Sequence, residues 1–270
     1  MIEKVGLITL NQLENTVYSR TDQSLCTGES AMRSIFVGVE YAGKSTLIDL
    51  LGDYYRQRKV RIHGDDHFTI PDSTLSAPSR EIMVDLPEDI KERMQRMQIH
   101  YHVDIIKKYA CPLIAGWHIE EAIYADFYGD DPDSPYYKRY AYQFQRLYEA
   151  QVLEAHLPDI VMFHVTASDE EIARRMRENP HEYPIVREGD IAEIKRRFDE
   201  EIKQSLFTHA HRTVVLDTTG KMPQESFDEL LALSEPLVTM GEVALRNIEV
   251  PQGEYEVKYV NGVRQMIPNP

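Results

Sequence analysis

Residues 38–45 read Gly-Val-Glu-Tyr-Ala-Gly-Lys-Ser and match the pattern G-x-x-x-x-G-K-[ST] at every fixed position. Gly38 and Gly43 let the backbone turn tightly and present successive N–H groups to phosphate oxygens. Lys44 places a cation near the β- and γ-phosphates, and the Ser45 hydroxyl suits a Mg²⁺ ligand. The sequence therefore predicts a loop that binds ATP with Mg²⁺. Its nucleotide-binding residues are Gly38, Val39, Glu40, Tyr41, Ala42, Gly43, Lys44, Ser45 and Thr46.

The residues on either side of this loop strengthen the prediction. Residues 35–37 form a short apolar run of the kind that enters a sheet as a buried strand. Beyond the loop, apolar residues recur at helical spacing: Leu47, Ile48, Leu50, Leu51, Tyr54 and Tyr55. A strand, a glycine loop and a helix in this order aim a helix N-terminus at a bound anion. These flanks argue against a chance match of the pattern.

Composition excludes several classes of protein. The net charge of −15 argues against a nucleic-acid polymer as the main ligand, because such ligands need a surplus of Lys and Arg. The chain has no apolar run of about 18 residues and no signal-peptide pattern, so we expect no membrane span and no secretion. Cys26 and Cys111 are the only cysteines. Two cysteines are too few for a disulfide framework or for a zinc site built from cysteines, and they favour a reducing, cytoplasmic location.

The chain divides into three segments. Residues 1–31 are polar and poorly periodic and form an N-terminal extension. Residues 32–235 alternate strand and helix patterns, which indicates an α/β domain with a mainly parallel sheet covered on both faces. We predict five strands, at residues 35–37, 60–63, 111–117, 160–165 and 213–216. Residues 236–270 form a tail with a hairpin, because Asn261-Gly262 suits a two-residue turn.

The predicted helices outside the loop have clear patterns. They cover residues 88–110, 135–156, 168–177, 190–206 and 223–233. The second of these is rich in tyrosine. Ser168 is the expected N-cap of the third, with Glu171 at its third helical position.

The order of motifs resembles the thymidylate kinase-like and deoxynucleoside kinase-like P-loop kinases, over residues 34–233. The loop carries an acidic residue, Glu40, two positions after its first glycine, as the thymidylate kinase loop does. Residues 158–177 are similar to the fourth strand and the helix that leads to the lid. Asp217-Thr218-Thr219 ends the fifth strand where the group places its adenine-side loop. The resemblance implies a three-layer P-loop NTPase fold with a helical lid and phosphoryl transfer from ATP.

The resemblance also implies an acceptor site. Arg96 and Gln98 lie on the helix where the group carries an arginine and a glutamine that face the acceptor nucleotide. The third strand of the group ends in Asp-Arg or Glu-Arg, whereas this chain has Trp117-His118. Glu120 or Glu121 supplies the acid only if the register shifts. The implied substrate-binding residues are Glu40, Arg96, Gln98, His118 and Glu120. The implied partner is a small nucleotide or nucleoside, and the sequence leaves homodimer formation open.

Phosphoryl transfer requires positive charge and a group that orients the nucleophile. Lys44 and a Mg²⁺ ion on Ser45 supply part of the charge. Arg174 and Arg177, in a cationic cluster beside the expected lid, would supply the rest. Alternatively, these arginines are solvated residues paired with Glu170 or Glu171.

Two acidic residues are candidates for the base. Asp65 and Asp66 follow the second strand, and strand ends are where parallel sheets bind ligands. An exposed acidic turn is the alternative interpretation. Glu40 and Glu120 are further candidates. His118 would contact a phosphate as imidazolium or would be a hydrogen-bonded, half-buried residue.

Three functions remain. The first is transfer of the γ-phosphoryl group to a nucleoside monophosphate, a nucleoside or another small hydroxylated metabolite. The second is a nucleotide-binding module without catalytic activity, which the Trp117-His118 pair favours. The third is a GTPase, suggested by Asp217-Thr218-Thr219-Gly220. It is disfavoured because that motif lies far from the phosphate-binding loop and no N-K-x-D motif is present.

Overall fold

A computed structural model describes most of the predicted α/β domain. It covers residues 32–58, 60, 62–66, 70–72, 75–109, 111–139 and 152–238, together with the strands at residues 255–260 and 263–268. The predicted N-terminal extension, residues 1–31, lies outside the described residues.

Five parallel strands form the central sheet. They are β1 (Ser34–Val37), β2 (His63–Asp66), β3 (Pro112–Ala115), β4 (Val161–Thr166) and β5 (Thr213–Asp217). Their order in the sheet is β2-β3-β1-β4-β5, and Ile35 of β1 pairs with Ile114 on one side and Met162 on the other. Every residue of β1 is buried. The predicted parallel sheet of five strands is confirmed.

The second strand begins later than the sequence pattern indicated. The prediction was residues 60–63, whereas β2 begins at His63, whose N–H donates to Cys111 O at 3.0 Å. Val60 instead donates its N–H to Tyr55 O at 2.9 Å, which ends the preceding helix. Hydrogen bonds to distant strands, rather than local apolar content, decide where a short strand starts.

Helices flank the sheet. They are α1 (Lys44–Gln57), α2 (Ala77–Val84), α3 (Glu88–Lys108), α4 (His118–Tyr128), α5 (Asp169–Glu178), α6 (Ile191–Gln204), α7 (Leu206–His209) and α8 (Pro223–Ser234). Short 3₁₀ turns occupy Glu188–Asp190 and Glu235–Leu237. As predicted, Ser168 caps α5, since its side chain accepts the Glu171 N–H at 3.2 Å.

Several features of the helices differ from the prediction, and the short helices α2 and α7 were not predicted. No helix was predicted over α4, because its residues are buried on nearly every side and show no polar stripe. Residues 135–138 of the predicted tyrosine-rich helix form turns, residues 140–151 lie outside the described part, and residues 152–155 are helical.

The connections place helices on both faces. A right-handed crossover from β1 to β2 and one from β3 to β4 run in opposite directions across the sheet, so their helices cover opposite faces. In agreement, α1 packs against α8, and α4 packs against α6. The chain therefore has the predicted three-layer arrangement. The strand order predicts a crevice between the ends of β1 and β3, where the direction of the connections reverses.

The C-terminal segment contains a separate two-stranded sheet. Strands β6 (Tyr255–Val260) and β7 (Val263–Pro268) pair antiparallel, with Val260 opposite Val263. This pairing is what the predicted hairpin requires, and the Asn261-Gly262 turn itself lies outside the described residues. Among the helices that the structure describes, none is both long and apolar enough to cross a membrane.

Candidate active site

The loop between β1 and α1 has the backbone that its glycines predicted. Gly38 has φ +148°, and a Cβ atom there would lie 2.1 Å from the Val165 carbonyl oxygen. Gly43 has φ +103° and precedes the first residue of α1. Tyr41 also lies in the left-handed region, at φ 64°. The loop therefore passes so close to β4 that no side chain fits at its first glycine.

Lys44 and Glu120 meet at the start of this loop. Lys44 Nζ lies 3.1 Å from Glu120 Oε1 and donates to the carbonyls of Gly38 and, at 3.4 Å, Val39. Glu120 Oε1 also accepts the Gly38 N–H at 3.0 Å, and its side chain is only 1% exposed. The first turn of α4 thus brings an acid to the loop, as the shifted register required. This acid lies in the crevice that the sheet topology predicts.

One cavity of about 960 Å³ extends along the loop. The phosphate-binding loop and the start of α1 form its centre, through Val39, Glu40, Tyr41, Gly43, Lys44, Ser45 and Thr46. On the β2–β3 side its wall includes Ile70, Pro71, Arg80 and Ala115. On the β4–β5 side it includes Thr218, Lys221, Met222, Pro223 and Ser226. The cavity therefore crosses the phosphate-binding loop and has room for a ligand on each side of it.

Arg175 and Thr218 fasten the loop to the β4–β5 side. The Arg175 guanidinium donates to Tyr41 O at 3.0 Å, to Thr218 Oγ1 at 3.0 Å and to Thr218 O at 3.1 Å. The Thr218 hydroxyl donates to Ala42 O at 2.8 Å. Glu171 holds the Arg175 Nε at 2.8 Å. Hydrogen bonds from Arg174 and the charge of Arg175 lower the pKa of Glu171 to about 2, so it stays ionised.

His164 lies below the loop on the same side. It pairs with Val37 in the register of β1 and β4, and it is buried. Burial, followed by the nearby charges of Lys44 and Lys195, lowers the pKa of His164 to about 4, against an opposing effect of Asp199. This histidine is therefore neutral at physiological pH, and it adds no charge to the phosphate-binding region.

The segment of residues 179–187, which we call the lid segment, closes over the loop. Glu40 Oε2 accepts the N–H groups of Ile185 at 2.9 Å and Val186 at 2.8 Å, and Glu40 Oε1 lies 3.2 Å from His181 Nδ1. The Tyr41 hydroxyl accepts the His181 N–H at 2.8 Å, and the two rings stack 4.0 Å apart. Burial raises the pKa of Tyr41. In this structure Glu40 holds the lid segment, and its contact with an acceptor stays a prediction.

Arg174 and Arg177, the two arginines predicted to act beside the lid, differ in their position relative to the cavity. Arg174 lines the cavity but is paired with Glu171 at 2.7 Å and with Glu178, and half of its side chain is exposed. Arg177 is paired with Glu188 at 2.5 Å and does not line the cavity, which favours the solvated alternative for this residue. Arg175, between them, makes the contacts with the loop. The geometry of a helix explains this difference. Residues 174 and 177 are three positions apart and lie on one side of α5, whereas residue 175 lies on another side, which faces the loop.

The predicted bases do not lie beside the loop. β3 separates β2 from β1, so Asp65 and Asp66 are two strands away from the phosphate-binding loop. Neighbouring strands are about 4.8 Å apart, which places β2 about 10 Å from β1. Asp65 pairs in register with Ile114 and is not part of the cavity wall. Asp66 pairs with Ala115, which does line the cavity, and the Asp66 side chain lies outside the described part.

The two acceptor-binding residues predicted on α3 are paired with residues of the same helix. Arg96 is paired with Glu92 at 2.6 Å, and Gln98 Nε2 lies 3.3 Å from His102 Nε2. Neither residue is in the cavity wall. Gln95 instead faces inward, is 4% exposed and accepts Arg139 Nε at 2.8 Å. The face of α3 that carries Gln95 is the one that turns to the interior, and the acceptor contacts of Arg96 and Gln98 stay a prediction.

His118 belongs to the core rather than to the cavity wall. It is buried, and its Nε2 lies 2.8 Å from Glu154 Oε1. Glu154 Oε2 also accepts Ser205 Oγ at 3.0 Å and the Leu206 N–H at 2.6 Å. The contact ties α4 to the start of α7. The hydrogen-bonded alternative therefore describes the contacts of His118 in this structure.

A buried polar cluster lies behind Glu120. Arg139 is 1% exposed, its Nη2 lies 3.6 Å from Glu121 Oε2, and its guanidinium stacks over the Tyr136 ring at 4.0 Å. The Tyr136 hydroxyl donates to Glu121 Oε1 at 3.2 Å. Burial, reinforced by the charges of Glu120 and Glu40, raises the pKa of Tyr124 well above its usual range. Sequence patterns gave no signal for Arg139, since it enters the core from an irregular segment.

Comparisons with known proteins agree with this architecture. A thymidylate kinase from Candida albicans is 14% identical in sequence, with a TM-score of 0.54 over 78% of this chain and 93% of that one. A deoxyadenosine kinase from M. mycoides with bound dATP is 13% identical, with a TM-score of 0.51 over 74% and 97% of the two chains. No protein-family model and no curated protein match the sequence. Both structures are P-loop kinases, and this chain has their P-loop NTPase fold, as the resemblance implied.

Proposed function

We propose that the protein is a P-loop kinase that transfers the γ-phosphoryl group of ATP to a small acceptor, a nucleotide or a nucleoside. The observation that carries this proposal is the cavity of about 960 Å³ that crosses the phosphate-binding loop. A hydrolase needs room only for its nucleotide and a water molecule. A kinase needs a donor on one side of the loop and an acceptor on the other, with the transferring group between them.

The residues at the centre of the cavity have the chemistry that this reaction requires. Loop N–H groups and Lys44 would bind the β- and γ-phosphates, with ATP entering from the β4–β5 side. Ser45, in the cavity wall, and the buried Glu120 fit Mg²⁺, which needs few protein ligands when phosphates and water complete its shell. When bound, Mg²⁺ neutralises charge on the phosphates. Lys44 would exchange the Glu120 carboxylate for phosphate oxygens when ATP binds.

The transfer itself is a displacement at phosphorus. An oxygen of the acceptor donates an electron pair to the γ-phosphorus, and the bond from that phosphorus to the bridging oxygen breaks. If that oxygen belongs to a hydroxyl group, its proton passes to water in the same step. The electron pair of the broken bond leaves with ADP. Arg174, at the cavity wall, would stabilise the equatorial oxygens after it releases Glu171 or Glu178. A cytoplasmic location and a small-molecule acceptor, rather than a nucleic-acid polymer, are part of this proposal.

The proposal is tested by ADP release from purified protein with Mg-ATP and a panel of nucleosides, nucleoside monophosphates and small hydroxylated metabolites. We expect release that depends on one class of acceptor. Lys44→Ala should lower kcat by about a hundredfold to a thousandfold, since the phosphates lose their cation. Lys203→Ala, on the exposed face of α6, is the matched control and should leave the rate unchanged. ATP binding without turnover on any acceptor would contradict the kinase and favour the inactive module.

A further inference from the structure

The first turn of α4 carries three buried polar side chains, and each contacts a different part of the chain. Glu120 meets the phosphate-binding loop, and His118 contacts Glu154. Glu121 faces Arg139. All three side chains of the turn are at most 4% exposed, and the helix has no side-chain cap at its N-terminus. These contacts therefore help to fix the orientation of the turn that carries the acid of the loop.

The segment that follows α4, residues 129–139, folds back towards Glu121, and we call it the return segment. The Lys138 N–H donates to Gly129 O at 2.9 Å. The Tyr136 hydroxyl donates to Glu121 Oε1 at 3.2 Å, and Arg139 Nη2 lies 3.6 Å from Glu121 Oε2. Burial, reinforced by the charge of Glu121 and opposed by that of Arg139, raises the pKa of Tyr136 well above its usual range. The phenol thus keeps the proton that it donates, and the return segment holds both oxygens of one carboxylate.

Arg139 is itself fixed on several sides. Its Nε donates to Gln95 Oε1 of α3 at 2.8 Å, and its Nη1 donates to Pro135 O at 3.1 Å. Its guanidinium lies over the Tyr136 ring at 4.0 Å. Because a guanidinium is planar and its donors point in fixed directions, a guanidinium held in this way sets the direction of the carboxylate that faces it.

Stability alone does not account for this buried pair. Taking two charges out of water is costly, and apolar residues of similar volume often stabilise a core as well as an ion pair does. The position of the pair indicates what its direction serves. Consecutive residues of a helix point about 100° apart, so the contact of Glu121 with Arg139 also sets the direction in which Glu120 points.

We propose that Arg139 is a positioning residue, which acts through Glu121 to point Glu120 at Lys44 and the loop. This inference rests on the proposed function, in which Glu120 and Ser45 fit Mg²⁺ beside ATP. Arg139 lies outside the cavity wall. Its loss would therefore leave the nucleotide contacts of the loop in place and would shift the carboxylate that belongs to the metal site.

The first experiment measures ATP binding by the full chain, with calorimetry at a series of Mg²⁺ concentrations. Arg139→Met removes the charge and keeps an unbranched side chain that fills core gaps. It should raise the Mg²⁺ concentration needed for tight ATP binding by about tenfold to a hundredfold, as is typical for residues that orient a metal ligand. ATP affinity without Mg²⁺ should stay the same. Arg139→Lys should restore part of the loss, because it keeps the charge but not the planar group.

Two double variants separate positioning from a purely structural role. In Glu120→Gln, which should raise the Mg²⁺ requirement by itself, adding Arg139→Met should raise it no further, because the carboxylate through which Arg139 acts is already absent. Combining Glu121→Leu with Arg139→Met replaces the pair by apolar residues and should recover the denaturant midpoint that Arg139→Met loses. The raised Mg²⁺ requirement should persist, since apolar packing does not impose the same direction. This combination also carries the test if Arg139→Met fails to fold.

Arg212→Met is the matched control. Arg212 donates three hydrogen bonds to backbone carbonyls, and it lies just before β5, at the opposite end of the sheet from the loop. Its replacement should lower the denaturant midpoint and leave the Mg²⁺ requirement unchanged.

The outcomes distinguish this inference from the proposed function. An Mg²⁺ requirement that is unchanged in Arg139→Met, restored by the apolar pair, or raised further in the double variant with Glu120→Gln would overturn the positioning role. ATP binding by wild type that does not respond to Mg²⁺, or no ATP binding, would overturn it as well. An Mg²⁺ requirement that depends on Arg139, without turnover of any acceptor, would support the positioning role and contradict the kinase.

Discussion

The two sides of the phosphate-binding loop are held by different kinds of contact. On the β4–β5 side, backbone carbonyls of the loop are bonded to Arg175 and Thr218, and Gly38 contacts the Val165 carbonyl without room for a side chain. On the β2–β3 side, Arg80 is tied to the lid segment by one exposed carboxylate. Close backbone contacts, as on the β4–β5 side, hold a loop rigidly in the folded state. An exposed ion pair, as on the β2–β3 side, can exchange its partner. We infer that the donor side is preorganised and that the acceptor side rearranges.

The largest effect is expected where the rigid side is broken at the loop itself. Gly38→Ala places a Cβ atom against the Val165 carbonyl oxygen and strains a backbone at φ +148°. We expect a loss of at least about 3 kcal/mol in the free energy of unfolding, with loss of ATP binding. Denaturant titration and nucleotide titration measure the two effects.

Gly64→Ala is the matched control for this change. A Cβ atom at Gly64 meets nothing within 4 Å, and the residue is an exposed part of β2. Its stability should change by less than about 1 kcal/mol. If the two variants had equal stability, the close approach of the loop to β4 would not be a constraint.

A smaller effect is expected from the network on the same side. In Arg175→Lys a single ammonium group replaces the guanidinium group, which donates hydrogen bonds to Tyr41 O and to both oxygens of Thr218. We expect a loss of about 1–3 kcal/mol in stability and weaker ATP binding, with little change in affinity for the acceptor. Arg196→Lys, at an exposed pair on α6, should change stability by less than about 0.5 kcal/mol. An acceptor affinity that fell as much as the ATP affinity would argue against two separate sides.

The smallest effect is expected at the lid segment. Tyr41→Phe removes the hydroxyl that accepts the His181 N–H, at a cost of about 1 kcal/mol to the closed position of the segment. Amide hydrogen exchange of residues 181–186 should become about fivefold faster, while exchange in β5 stays the same. Tyr101→Phe, on an exposed tyrosine of α3, should leave both rates unchanged. Unchanged exchange in Tyr41→Phe would mean that the hydroxyl does not hold the segment.

Local patterns predicted the fold well and the site in part. The glycine loop, the five strands and most helices were found from spacing and turn residues, because these depend on neighbours within a few positions. Local patterns do not give the order of the strands in the sheet, which is β2-β3-β1-β4-β5. Asp65 and Asp66 were therefore expected beside the loop, whereas they lie two strands away. Local patterns also predicted helices α3 and α5, but not that Gln95 and Arg175 turn to the interior, because the rotation of a helix about its axis depends on how it packs.

The sequence by itself determined that this chain forms a phosphate-binding loop between a buried strand and a helix, because the residues concerned are consecutive. Only the tertiary structure decided which acid meets that loop, since Glu120 is 82 positions from the Gly38 N–H that it accepts. The same holds for Arg80 and Glu182, which are 102 positions apart. Such contacts depend on the order of strands and the rotation of helices about their axes. Those are set by how the whole core packs rather than by any local pattern.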